Sequence, residues 1–207
     1  MKSVAVLLAP GFEEIEAITV IDYLRRAGVQ VTTVAVPAPH EKENAVVTAS
    51  HGVPVTADTM LSAYSASGVL PDAIYTPGGM PGAANIGANQ DALALIKKVA
   101  AKGNLVCAIC AAPVVVLAKT GLLAGKNYTC YPGMQESLPE WCGSASQATE
   151  LTRGATLVPD VPFVFDGNIL TGRGPGTAEQ YAMELVRILC GEPTRDKVAK
   201  AACQRGY

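Results

Sequence analysis

The sequence predicts an α/β domain with a mainly parallel sheet covered by helices. Three observations lead there. Apolar, β-branched runs of strand length alternate with helical patterns along the whole chain. Of the 207 residues, 49% are hydrophobic and only 5% aromatic, a Val/Ala/Leu/Ile-rich composition that suits a sheet buried on both faces. Four strand candidates also run into loops of unusual composition, the place where such sheets bind ligands.

The first strand is read at Val4–Ala9. This run is short and Glu13, Glu14 and Glu16 follow it, so it is a strand rather than a targeting segment. Helix follows from Glu13 to Ala27, stopped by Gly28. Val29–Val36 (VQVTTVAV) is a strand, and Val46–Ala49 with Val53–Thr56 a short hairpin. Ala73–Thr76 is a strand ending in Pro77-Gly78-Gly79. Asp91–Ala101 is a helix closed near Gly103, Leu105–Ile109 a strand and Ala112–Lys119 a helix. Residues 162–171 form two strands turning at Asp166-Gly167. Helices at Thr177–Leu189 and Thr194–Cys203 complete the chain. Residues 37–45 and 62–71 read as polar loops too short to divide it, so residues 1–207 are expected to form one domain.

Composition narrows the function classes. A formal net charge of −2, with no basic stretch, gives nucleic acid no electrostatic footprint. No apolar run approaches the ~18 residues of a membrane helix. Six cysteines in an apolar chain without an export signal are expected as free thiols in a reducing, cytoplasmic compartment. The two histidines, His40 and His51, and the cysteine spacing do not build a zinc site, so no metal or cofactor is expected.

The segment LVCAICAAP, residues 105–113, carries the strongest chemical signal. An apolar strand passes directly into a helix with Cys110 at the junction and Ala108, Ala111 and Ala112 around it. This is the logic of a nucleophile elbow, whose crowded turn needs small neighbours. Unpaired N–H groups and the positive end of a helix would favour a thiolate there. Cys107 also completes a C-x-x-C, but it lies within the apolar run and is expected to be buried rather than half of a dithiol.

In GFEEIEA, residues 11–17, three carboxylates sit in the first helical turns, where the helix dipole favours them. Glu16 lies ~40° around the helix from Val20, on the margin of the stripe Ala17, Val20, Ile21 and Leu24. Partial desolvation there would raise its pKa, so it could stay protonated beside a thiolate. The loops Pro10-Gly11, Pro77-Gly78-Gly79, Cys110 and Gly172–Gly176 are expected to converge.

Taken together, GFEEIEA, PGG, AICAAP and GRGPGT resemble the ThiJ/PfpI superfamily, in the branch of the Parkinson-disease-associated protein deglycase and its bacterial relatives. The resemblance spans nearly the whole chain with the motifs in order. It implies a flavodoxin-like, class I glutamine amidotransferase-like three-layer sandwich and a homodimer. It implies that Cys110 is the reactive, oxidisable cysteine, that Glu16 is its hydrogen-bonded partner, and that backbone N–H groups of Gly79 and Ala111 form an oxyanion-type pocket. Gly78, Gly174 and Pro175 then border the substrate. The activities implied are glyoxalase chemistry without glutathione, deglycation of methylglyoxal adducts, or a redox-dependent chaperone or signalling role. One position departs from the pattern: Tyr131 stands before Pro132 where many relatives carry a His. A phenol with an ordinary pKa of ~10 is a poor base at neutral pH, so papain-type peptidase chemistry is disfavoured.

Overall fold

A computed structural model of the chain describes residues 1–204. In chain order the elements are β1 (Ser3–Leu8), α1 (Glu14–Arg26), β2 (Gln30–Ala35), β3 (Val46–Thr48), β4 (Pro54–Thr56), β5 (Thr59–Met60), α2 (Leu61–Ala66), β6 (Ala73–Thr76), α3 (Gly82–Ala88), α4 (Gln90–Ala101) and β7 (Leu105–Ile109). A π-type turn at Pro113–Leu117 leads into α5 (Ala118–Thr120). Then come β8 (Asn127–Tyr128), α6 (Leu138–Cys142), α7 (Ala145–Leu151), β9 (Thr156–Leu157), β10 (Phe163–Asp166), β11 (Ile169–Gly172), α8 (Ala178–Cys190) and α9 (Glu192–Ala201).

Seven strands form the main sheet in the order β10-β11-β7-β6-β1-β2-β5. All neighbours are parallel except the β10–β11 hairpin. The chain moves outward from β1 to β2 and β5, then returns to the other side of β1 to build β6, β7 and β11. Its direction reverses between β1 and β6, and the loops leaving these two strands open a crevice at such a switch point. Because β1, β6, β7 and β11 are consecutive in the sheet, the four loops singled out from the sequence emerge side by side.

Strand alternation sorts the core into two layers. Ala5, Leu7, Ile74, Val106 and Ala108 pack with α3 and α4. Val4, Val6, Leu8, Tyr75, Cys107 and Ile109 pack with α1 and α8. Helix α1 offers Glu16, Ala17, Val20, Ile21 and Leu24 to this second layer. The stripe is the expected one, with Glu16 fully enclosed by it rather than left at its margin.

Two expectations need correction. Residues 62–71 are not all loop: Leu61–Ala66 forms α2. Only Leu61 of that helix is buried, so no apolar stripe marks it in the sequence. Residues 112–119 do not form a regular α-helix. The turn Pro113–Leu117 is wound wider and every residue of it is buried, a run whose continuous apolarity conceals its period.

Candidate functional site

Cys110 follows the last residue of β7 and has φ of 63°. A residue with a Cβ pays on the order of 1–2 kcal/mol in this left-handed region, so its surroundings must impose it. Both of its peptide groups are held. Its N–H donates to the Gly172 carbonyl at the end of β11 at 2.9 Å, and its carbonyl accepts from the Tyr131 N–H at 2.8 Å. The turn lifts Cys110 out of the sheet into a half-buried position, while Cys107 stays fully buried in the α1–α8 layer. The two sulfurs therefore serve different places, as the sequence suggested.

The crevice is closed from below by two glycine contacts. A Cβ at Gly78 would lie 2.6 Å from Cys110 Cβ, 2.8 Å from Glu16 Oε2 and 3.0 Å from Cys110 Sγ. A Cβ at Gly79, where φ is 84°, would strike the backbone of Gly11 and Glu13. The loops after β1 and β6 thus interlock, and the Glu13 N–H donates to the Gly78 carbonyl at 3.0 Å. Gly78→Ala is expected to force Cys110 and Glu16 apart, costing about 1–3 kcal/mol as overpacking does. Thermal unfolding and Cys110 alkylation, measured together, check this; a variant with wild-type values for both would contradict the packing described.

Glu16 sits in the first turn of α1 and is wholly buried. Its Oε2 accepts the Gly78 N–H at 2.7 Å, while Oε1 has no hydrogen-bond partner among the described residues. Burial is the largest influence and raises its pKa to about 7, against the opposing effect of the Gly78 and Cys110 hydrogen bonds. Near neutrality this carboxyl can hold or release a proton.

Burial likewise pushes the Cys110 thiol up, and a charged Glu16 beside it pushes the same way. Helix and loop N–H groups alone therefore do not make this thiol acidic, contrary to the simplest expectation from its place at a strand-to-helix turn. The N–H groups of Gly79 and Ala111 act in the opposite direction, stabilising negative charge on sulfur. When Glu16 is protonated its repulsion disappears and its O–H becomes a third donor. Carboxyl and thiol are thus one coupled proton-holding unit rather than two independent acids.

The other carboxylates of GFEEIEA are engaged elsewhere. Glu14 receives the His51 N–H at 2.7 Å and lies 2.9 Å from His51 Nδ1. Its slight burial would raise its pKa, but His51 and Ser50 hydrogen bonds bring it down to about 2. His51, without an assignable role in the sequence, thus pairs with Glu14 at the hairpin between β3 and β4.

Gly174 and Pro175 line a groove of about 420 Å³ with Tyr131, Pro132, Arg173 and Gly176. A Cβ on Gly174 would lie 3.4 Å from the Tyr131 ring, and the Tyr131 N–H is the group that holds the Cys110 carbonyl. Gly78, Gly79, Ala111, Glu16 and Cys110 are therefore in direct contact, with Gly174 and Pro175 joined to them through Tyr131.

This arrangement sits in a chain whose residues 2–188 match the profile of the DJ-1/PfpI family. The chain belongs to the DJ-1/PfpI family. Among the relatives of this DJ-1/PfpI chain is dj-1beta of Drosophila melanogaster, 36% identical over 199 residues that cover 96% of this chain and 95% of the relative. The crystal structure of that Drosophila protein superposes with a TM-score of 0.83 at 37% identity, covering 98% of this chain and 97% of the other. Oxidized Toxoplasma gondii DJ-1 also superposes with a TM-score of 0.83, at 33% identity and with both chains fully covered. A glutathione-independent glyoxalase of Caenorhabditis elegans is 29% identical over 203 residues, 98% of this chain and 96% of the relative. The α/β fold with its mainly parallel seven-stranded sheet is the fold of these DJ-1 structures.

Proposed function

We propose that this DJ-1/PfpI protein is a cysteine enzyme acting on methylglyoxal-type dicarbonyls or their adducts, with Cys110 as nucleophile and Glu16 as acid–base group. The observation that carries the reading is the fully buried Glu16 carboxyl, bonded to the Gly78 N–H, raised to about 7 and coupled to Cys110. A catalytic acid–base group works best with a pKa near the operating pH.

In this reading Glu16 as carboxylate takes the Cys110 thiol proton while the sulfur bonds to the aldehyde carbon, and passes that proton to the carbonyl oxygen to give a hemithioacetal. Gly79 and Ala111 N–H groups stabilise the negative charge that develops during attack. Glu16, again a carboxylate, then carries the proton of the former aldehyde carbon to the neighbouring carbon, while the hemithioacetal hydroxyl proton passes to the ketone oxygen, leaving a thioester of a 2-hydroxy acid. Water attacks the thioester, the carbon–sulfur bond breaks, and Cys110 regains its proton. The sum is one dicarbonyl plus one water giving one 2-hydroxy acid, with no external reductant or oxidant. The name of the Caenorhabditis elegans relative supports this activity. Tyr131 serves through its backbone N–H, so Tyr131→Phe is expected to keep most of the turnover; an abolished rate would move the acid–base role to its phenol.

The same N–H groups also suit the oxygens of a Cys110 sulfinate, which supports a second reading as a peroxide-responsive chaperone or signalling protein without turnover. A cytoplasmic homodimer belongs to either reading; Ile15 and Ile18 lie exposed on α1 and suit contact with a second copy. No helix among the described residues is long and apolar enough to cross a membrane. The deciding experiment supplies methylglyoxal without glutathione and identifies the product by mass. Catalytic formation of lactate supports the enzyme. Consumption that stops after one equivalent per thiol supports the second reading.

A further inference from the structure

Two tyrosines fill the core around Glu16 and have no part in the chemistry above. Tyr75 and Tyr181 are both fully buried. Tyr75 stands on β6, registered between Val6 of β1 and Cys107 of β7. Its hydroxyl donates to the main-chain carbonyl oxygen of Glu16 at 3.0 Å. Tyr181 comes from α8; its ring centroid lies 5.8 Å from that of Tyr75, tilted by 39°. The Tyr181 hydroxyl donates to the Leu170 carbonyl in β11 at 3.1 Å. Gly172 makes room for this ring, since a Cβ there would lie 2.5 Å from Tyr181 Cδ2.

A hydroxyl in an apolar core costs free energy unless it is bonded, and phenylalanine fills nearly the same volume without that need. The Glu16 carbonyl gains little from the tyrosine, because it lies within α1 and is already an acceptor for the helix's own N–H four residues on. What the hydroxyl supplies is geometry. The stretch from Tyr75 to Gly78 grips Glu16 at two points: its main-chain oxygen through the Tyr75 hydroxyl and its carboxyl through the Gly78 N–H. Two points fix the rotation of the first turn of α1 against β6. That rotation decides where the carboxyl stands relative to Cys110.

We propose that Tyr75 is a positioning residue for the Cys110–Glu16 pair, its hydroxyl locking the turn of α1 that carries Glu16 so that the carboxyl meets the Gly78 N–H and Cys110 together. This rests on the pair being reactive, not on which substrate it takes.

The test compares Tyr75→Phe with Tyr181→Phe, which loses a buried hydroxyl bonded to a strand instead of to α1. The rate of Cys110 alkylation by iodoacetamide is followed from acid to alkaline pH, with thermal unfolding of the same proteins. Tyr75→Phe is expected to move the pH midpoint by about half a unit or more, and Tyr181→Phe to leave it in place. In turnover, Tyr75→Phe is expected to lower kcat about threefold or more at nearly constant KM. On a Glu16→Gln background, Tyr75→Phe should add nothing to the change in alkylation, because its effect passes through Glu16. An alkylation profile unmoved by Tyr75→Phe overturns the proposal. So does an equal effect with and without Glu16, or loss of folding in Tyr75→Phe where Tyr181→Phe folds. If the wild type does not turn over methylglyoxal at all, the functional reading fails while the alkylation profiles still decide the role of Tyr75.

Discussion

Cys110→Ala is expected to abolish methylglyoxal turnover, with a loss of about 10³-fold or more in kcat, since it removes the atom that bonds to substrate. The effect on folding should be small by comparison. Alanine at φ of 63° carries the same backbone strain as cysteine, and the N–H and carbonyl groups of position 110 keep their bonds to Gly172 and Tyr131. Cys107→Ala is the contrasting variant. It empties a fully buried position in the α1–α8 layer, so it should lower the unfolding temperature and leave most of the rate. Steady-state kinetics and calorimetry on the two variants separate these outcomes. Retained turnover in Cys110→Ala would place the reactive group elsewhere.

Glu16→Gln is expected to lower turnover at least tenfold, within the roughly 10²- to 10⁴-fold that a general acid–base group contributes. The amide oxygen can still accept the Gly78 N–H, but it cannot carry a proton between carbons. Glu14→Gln should do little, because Glu14 is occupied with His51 and Ser50. The same substitution has a signature in stability. Glu16 titrates at about 7 in the fold against 4.5 in the free carboxyl, so the folded chain holds this proton more tightly. The resulting stability is full below pH 4.5, is lost as pH rises to 7, and changes no further above it. The magnitude is on the order of 3 kcal/mol. Glu16→Gln should remove this slope and gain on the wild type as pH rises. Denaturant unfolding across that range measures it, and parallel curves for the two proteins would contradict the burial assigned to Glu16.

Much of this site was legible because its logic is local. A strand ending in a small-residue turn marks Cys110, helical spacing puts Glu16 by the apolar stripe of α1, and Pro-Gly-Gly after β6 signals a close backbone approach. The extents of the strands Ala73–Thr76 and Leu105–Ile109 were equally plain, since short apolar runs next to Gly and Pro stand out. What was hidden depends on contacts between distant segments. Tyr75 in AIYT reads as one more strand residue until α1 is laid over it. The pairing of His51 with Glu14 joins the turn of the β3–β4 hairpin to the first residue of α1, 37 positions apart. Helix α3, GAANIGA, carries two glycines that weaken its pattern, and the structure uses both for close approach: Gly82 to Phe12 and Gly87 to the Val115 carbonyl. Helix α7 did carry a usable signal, since the Ser144 hydroxyl accepts the Gln147 N–H as an N-cap. The Cys110 thiol shows the limit of local reasoning most clearly, because its ionisation depends on whether Glu16 is charged.

The measurement closest to the central claim is the pH dependence of Cys110 alkylation, mapped by peptide, in the wild type and in Glu16→Gln. A thiol coupled to a carboxyl that titrates at about 7 should show an inflection near that pH, and the amide variant should lose it. Superimposable profiles, or faster labelling of Cys107 or Cys130 than of Cys110 near neutrality, would contradict the claim that Cys110 and Glu16 act as one unit.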